Sequence, residues 1–354
     1  MSFIESIFEK VRRHPKRVVF PEGTDDRVLR AAMEFHEAGL GAPILLGPRA
    51  TIQKRAAALK LNLDRIGIID PARADDLEQF ADAFVSLRRD KGLAKDEALK
   101  AVKQPIYFAT IMLHRGSADA LVAGASVTAS SILRPLFQII RLEPGVKAAS
   151  SCSVLQLPND AFGEKGVLYL ADCSVIPDPT ASELADIALM AAKLARQLHG
   201  IKPRVAFLSF STKGSARHRS LEKILAAVAL ARQRADEKQI EAEFDGELQA
   251  DAALLPAIAE AKAAHSSVAG RATVLIFPDL NAGNICSKLV QQLTGAPLYG
   301  PILNGLSKPA SDLSRSCSSN EILGSAAIVA LQATEYRKLY PDDGGRRSAE
   351  PQLY

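Results

Sequence analysis

The segment KPASDLSRSCSSNEI (308–322) gathers Ser311, Ser314, Ser316, Ser318 and Ser319 around Arg315 and runs straight into the apolar stretch ILGSAAIVALQA. Hydroxyls and a fixed guanidinium at a helix start suit an anion, because first-turn N–H groups, the positive end of the helix dipole and a planar donor converge there. The same residues also make an ordinary helix start. Ser318-Ser319-Asn320-Glu321 has the S-x-x-E form of a capping box, in which Glu321 reaches back to the backbone of Ser318. A cap requires no arginine, so Arg315 is the residue that a purely structural account leaves over.

Three other stretches share this small, hydroxylated character: GASVTASSILRP (124–135), IPDPTASELA (176–185) and LSFSTKGSARH (208–218). Each precedes or opens a helix and can aim N–H groups and hydroxyls at an anion, although Ser and Thr are also the usual helix caps. Thr128, Ser211 and Lys213 are the candidate phosphate contacts in these loops, with Asp279 and Asn284 of FPDLNAGN as candidate lining of a substrate cleft. There is no GxxxxGK[ST], and no GxGxxG follows a strand pattern, so neither a nucleoside triphosphate nor a Rossmann-type dinucleotide is indicated. The histidines His14, His36, His114, His199, His218 and His265 show no metal-ligand spacing, and no metal is expected.

Such loops need strands that end together. RVVF (17–20), APILLG (42–47), RIGIID (65–70), ADALVAGA (118–125), VLYLADCSV (167–175), RVAFLSFS (204–211) and RATVLIFPD (271–279) are apolar runs of strand length. Their near-continuous apolarity predicts strands covered on both faces. Between them, DDRVLRAAMEFHEAG spaces Val28, Ala32, Phe35 and Gly39 at helical intervals, and ELADIALMAAKLARQL does the same with Leu184, Ile187, Ala191, Leu194 and Leu198. The alternation predicts an α/β chain with largely parallel sheets and ligand loops at strand ends. LEPGVKAAS (142–150) and TGAPLYGP (294–301) mark breaks. They give a first domain of 1–145 plus 302–340, a second of 146–301, a cleft between them, and a disordered tail over 341–354.

Composition narrows the function classes. At 354 residues, 47% hydrophobic and 24% charged, the chain has a globular make-up and room for two domains. A net charge of +4 without a basic, aromatic-laced stripe speaks against nucleic acid, and the lack of a long uncharged apolar stretch speaks against a membrane span. Four cysteines without a CxxC pair, and an N-terminus lacking a signal-peptide core, predict reduced thiols in the cytoplasm.

Several strings together carry a family resemblance. VAGRATVLIFPDLNAGN (268–284), YLADCSVIPDPTASELA (169–185), LSFSTKGS (208–215), FDGELQADAA (244–253) and GPILNGLSKPASDLSR (300–315) resemble the phosphate acetyltransferases. The resemblance implies reversible acetyl transfer between acetyl phosphate and coenzyme A in an interdomain cleft. It implies a two-domain α/β fold similar to isocitrate and isopropylmalate dehydrogenases, and a homodimer. Coenzyme A and acetyl-CoA are then substrates, with no tightly bound cofactor and no metal. The alternatives are a phosphate acyltransferase preferring propionyl or butyryl groups, and a non-catalytic acetyl-CoA-sensing domain.

By the same resemblance, Arg88 of LRRDKG and Arg134 of LRPLFQII bind coenzyme A, while Ser314, Arg315 and an acid six residues after the arginine are catalytic. The family acid is aspartate, where this chain has Glu321. The family's paired threonines are reduced to Thr128 followed by Ala129. Arg88 also lies beside Arg89, Asp90 and Lys91, the composition of a solvated helix face. The chemistry is coherent: a thiol of pKa about 8.5 must lose its proton to attack a carbonyl, and a carboxylate can take it. A typical glutamate, with pKa about 4.3, makes that transfer uphill by roughly 5–6 kcal/mol. Ser314 would hydrogen-bond the thiol or the oxyanion, and Arg315 would neutralise charge on the carbonyl or phosphate oxygens.

Overall fold

The computed structural model describes residues 2–339; the expected tail over 341–354 lies outside the described residues. The chain forms two compact units. One is built mainly from Ile4–Arg141 with the segment from Ser307 onward, the other mainly from Leu142–Leu306. The described strands, in chain order, are β1 (Lys16–Phe20), β2 (Gly41–Leu46), β3 (Gly67–Ile69), β4 (Ala120–Ala123), β5 (Ser150–Gln156), β6 (Val167–Ala171), β7 (Arg204–Leu208), β8 (Glu243–Leu248), β9 (Val274–Ile276), β10 (Leu298–Asn304) and β11 (Ala310–Asp312).

In the unit built mainly from Ile4–Arg141 and the segment from Ser307 onward, β3-β2-β1-β4-β11 pair in that order and all run parallel. Val18 and Val19 stand opposite Ala120 and Leu121, and Ala310–Asp312 stand opposite Leu121–Ala123. Parallel neighbours end in the same direction, so the loops after β1, β4 and β11 emerge side by side at one sheet edge. The Ser319–Leu339 helix packs on the Asp26–Glu37 helix and on β1, β4 and β11. Ile322, Ala326, Ala327, Ile328, Val329 and Ala330 are buried, as an apolar stretch without a polar face requires.

The other unit has the order β10-β5-β6-β9-β7-β8. Here β6, β9, β7 and β8 are parallel, while β5 runs antiparallel to both β6 and β10. The α/β class with largely parallel sheets therefore holds, with two antiparallel pairings added. The helices Ala181–His199 and Arg219–Glu237 pack on one another. The first opens with a Thr180/Glu183 capping box and stops at Gly200, whose φ of 72° suits glycine. Its buried stripe includes Leu184, Ile187, Ala191, Leu194 and Leu198, the positions read from periodicity.

Gly124 directly follows β4 and lies against the backbone of Leu313, which directly follows β11. Its φ is +116°, and a Cβ there would lie 2.4 Å from the Leu313 carbonyl oxygen and 2.6 Å from the Leu313 nitrogen. Only glycine lets the two strand ends approach in this way. Gly124→Ala is expected to lower stability by about 2–4 kcal/mol, read as a shift of the urea midpoint. An unchanged midpoint contradicts the close approach.

Candidate active site

Backbone groups beyond the last ladder bond of a strand need other partners. After β4, the N–H groups of Gly124, Ala125, Ser126 and Val127 donate to the Glu22 carboxylate at 2.7, 2.9, 2.6 and 3.1 Å. The Ser126 hydroxyl adds a bond of 2.7 Å. After β11 the chain turns, and the carbonyl oxygens of Arg315 and Cys317 accept from Nη1 of Arg27 at 2.7 and 2.9 Å. Nη2 of Arg27 reaches the Ala125 carbonyl at 2.6 Å, and Asp25 accepts from Nε and Nη2 at 3.1 and 2.8 Å. Burial pushes the Asp25 carboxyl up, but the Arg27 side chain and backbone outweigh it and hold the group below its ordinary range.

The sequence candidates on these loops separate into committed and open groups. Ser314 is half-buried, with its hydroxyl 2.9 Å from that of Ser316. Arg315 is exposed, and among the described residues its guanidinium makes no hydrogen bond or ion pair. Glu321 is buried at 7% exposure and completes the capping box: Ser318 donates its N–H and hydroxyl to Oε2 at 2.8 and 2.9 Å. Cys317 is buried, which drives its thiol up to about 12, although Arg27 opposes the shift. It is a neutral thiol near pH 7 and a poor nucleophile.

Thr128 opens the Ala129–Ile139 helix, and its hydroxyl lies 3.0 and 2.9 Å from those of Ser130 and Ser131. Two further hydroxyls therefore stand beside Thr128, whereas the Ser126 hydroxyl donates to Glu22. Arg88 ends the Leu77–Leu87 helix and is half-buried, and Arg134 is exposed on the Ala129–Ile139 helix. Both lie close enough to Tyr107 to act on its phenol. Burial raises the phenol's pKa, and the Arg134 and Arg88 charges pull it back. The Tyr107 hydroxyl donates to Gln138 at 3.0 Å, one helical turn from Arg134. Arg88 and Arg134, 46 positions apart in sequence, therefore share one neighbourhood.

In the other unit, the four candidates all have internal partners. Ser211 is buried and donates to Glu247 at 3.0 Å. Lys213 holds Asp245 at 2.5 Å and the Gly246 carbonyl at 3.1 Å. Asp279 caps the Leu280–Thr294 helix by accepting from the Ala282 N–H at 3.0 Å. Asn284 donates to the Cys173 carbonyl at 3.0 Å, tying that helix to the loop that the buried Asp172 carboxylate organises by accepting from Ser174, Val175 and Ile176 N–H groups. Glu22, Arg27 and Tyr107 escaped the sequence reading. A charged pair in a loop following a strand, PEGTDDR, was the signal available for the first two. Among the described residues no cluster of three or more His, Cys, Asp or Glu is arranged to hold a metal ion, and no helix is long and apolar enough to cross a membrane.

Comparison with known proteins gives the family of the chain. A profile of the family described as phosphate acetyl/butaryl transferase matches residues 2–330. The chain is 46% identical over 333 residues to a phosphate acetyltransferase of Thermoanaerobacterium thermosaccharolyticum, covering 94% of this chain and all of the relative. Among solved structures it is similar to the EutD phosphotransacetylase of Staphylococcus aureus, with a TM-score of 0.83, 37% identity and coverage of 94% and 98%. A phosphotransacetylase of Streptococcus pyogenes gives a TM-score of 0.84 with the same identity and coverage.

Because Lys213 is engaged by Asp245, its removal is expected to affect stability rather than substrate affinity. Burial raises the Asp245 carboxyl while Lys213 and Ser266 lower it further, so its folded-state pKa lies below 3.8. The stabilisation is then full above the unfolded value and is lost as pH falls through the folded one. Lys213→Met should cost about 1 kcal/mol at neutral pH, since the ammonium is still partly solvated. The difference from wild type should be full above about pH 4 and shrink progressively only as the pH falls further, through the lowered folded-state value, with the KM for acetyl phosphate changed less than about twofold. A tenfold rise in that KM at unchanged stability returns Lys213 to the phosphate site.

Proposed function

This chain belongs to the phosphate acetyl/butaryl transferase family, and from that premise we propose that it is a phosphate acetyltransferase. It transfers an acetyl group reversibly between acetyl phosphate and coenzyme A. The observation that carries the site assignment is Arg315: an exposed guanidinium, without a hydrogen bond or ion pair among the described residues, on a turn whose backbone is fixed by its neighbours. Relatives named phosphate acetyltransferase over nearly the whole chain favour acetyl over larger acyl groups, and catalysis over sensing.

Arg88 and Arg134 bind the phosphates of coenzyme A, where planar and permanently charged donors are suited to phosphate oxygens. Thr128 with its neighbouring hydroxyls adds donors at a helix start. The thiol gives its proton to Glu321, and sulfur attacks the acetyl carbonyl carbon. The carbon–oxygen bond to phosphate breaks with its electron pair leaving on the phosphate oxygen, which takes the proton back from Glu321. A thioester and inorganic phosphate result. Ser314 donates to the carbonyl oxygen as it gains charge, and Arg315 neutralises the phosphoryl oxygens of the leaving group. Transfer of a thiol proton to a typical carboxylate, uphill by roughly 5–6 kcal/mol, fits within the roughly 16 kcal/mol barrier of an enzyme turning over about ten times per second. Ser211, Asp279 and Asn284 shape loops in this account. The four cysteines are free thiols, which supports a cytoplasmic setting.

A homodimer is supported by one helix. On Leu280–Thr294, Ile285, Leu289 and Leu293 recur every fourth residue with exposures of 63%, 55% and 77%. An uncovered apolar stripe of this spacing suits a second copy of itself. Leu289→Asp with Leu293→Asp should halve the mass measured by light scattering; a wild type that is monomeric at micromolar concentration rejects the dimer.

Activity is tested by thiol release from acetyl-CoA and phosphate. Arg315→Ala should lower kcat by at least about a thousandfold while coenzyme A still binds. Glu321→Gln keeps the capping box, since glutamine also serves at that position, and removes only the proton acceptor. Retention of more than about a tenth of wild-type kcat in Glu321→Gln confines Glu321 to the cap.

A further inference from the structure

Arg27 lies on the first turn of the Asp26–Glu37 helix, outside every group assigned above to substrate. A guanidinium has five N–H bonds. In Arg27 all five are used: Nε and one Nη2 hydrogen go to Asp25, the other Nη2 hydrogen to Ala125 O, and both Nη1 hydrogens to Arg315 O and Cys317 O. The carbonyl bonds of 2.6–2.9 Å span the loops after β4 and β11, and Asp25 fixes the plane of the fork. Ala125 is held from both sides, because its N–H donates to Glu22 at 2.9 Å while its carbonyl accepts from Arg27 at 2.6 Å. A group with every donor saturated has no bond to offer a substrate. What it does instead is fix where the Ser314–Cys317 turn stands.

We propose that Arg27 is a positioning residue of the transfer reaction: it holds the backbone of Arg315 so that the Arg315 guanidinium and the Ser314 hydroxyl are presented in one geometry. The proposal rests on the reading of Arg315 and Ser314 as the catalytic groups. Lysine keeps the charge but offers three donors from one atom, so it cannot bridge Ala125 on one loop and both carbonyls on the other. Freeing the turn by about 1 Å is enough to cost about a hundredfold in rate.

A second consequence does not depend on catalysis. Cys317 is buried behind this turn and its carbonyl is one of the Arg27 acceptors, so its thiol meets water only when the turn loosens.

The experiment uses the full chain as wild type, Arg27→Lys and Asp25→Asn, the last keeping the guanidinium but removing the charge that orients it. For each, kcat, the KM for coenzyme A and the iodoacetamide alkylation rate of Cys317, resolved by peptide mass spectrometry, are measured. In Arg27→Lys, kcat should fall about a hundredfold, the KM for coenzyme A should stay within about threefold, and Cys317 should be alkylated at least about tenfold faster. Asp25→Asn should move kcat and alkylation in the same directions by a smaller factor, and it carries the test alone if Arg27→Lys does not fold. A kcat within threefold of wild type overturns the proposal. So does a lowered kcat with unaltered Cys317 alkylation, or a raised KM at unchanged kcat. An inert wild type whose Cys317 still becomes reactive in Arg27→Lys rejects the acetyl-transfer reading and leaves the clamp standing.

Discussion

Parallel strands that stop side by side leave backbone N–H and C=O groups without ladder partners, and here two side chains, Glu22 from the loop after β1 and Arg27 from the first turn of the helix that follows, supply partners for seven of them. Glu22 collects four N–H groups after β4, and Arg27 collects one carbonyl after β4 and two after β11. A buried amide or carbonyl left unpaired costs about 1–3 kcal/mol, so these bonds determine the loop conformations more than the small side chains in them do. The loops need glycine, alanine and serine because charged groups must come close to their backbone.

The same saturation sorts the cations. Arg27 is spent on carbonyls and Lys213 on Asp245, whereas Arg315, on the turn that Arg27 holds, keeps its guanidinium in solvent. A rigid support with an unspent charge at its tip is what transition-state electrostatics requires, since donors that are already positioned do not reorganise when charge develops. Glu321 meets the first condition, for its capping bonds fix the rotamer of the carboxylate that takes the thiol proton in the proposed reaction.

What the sequence revealed follows the range of the forces involved. The seven apolar runs became strands, and the inner ones left a local signature because they are buried on both faces, whereas RIGIID gave the short edge strand β3 with Gly67 exposed. EFDGEL, which forms β8, left none: Asp245 and Glu247 are buried, but their partners Lys213, Arg232 and Ser211 lie in other segments. β11, of three residues, is too short for any period to show. The Ser318–Glu321 cap was legible because its partners are three residues apart. Arg27 was not, since its carbonyl acceptors lie 98, 288 and 290 residues away. Lys213 read as a loop cation open to phosphate for the same reason, because Asp245 is 32 residues downstream. Family resemblance supplied Arg88 and Arg134 together, but their common neighbour Tyr107 appears only in three dimensions.

The account stands on Arg315 being the unspent guanidinium that receives the phosphoryl group. Modification of the protein by phenylglyoxal, with each arginine followed by mass spectrometry, reads this directly. Arg315 should be modified early and become protected by saturating acetyl phosphate, while Arg27 stays unmodified throughout. Equal modification of Arg315 with and without acetyl phosphate contradicts the account.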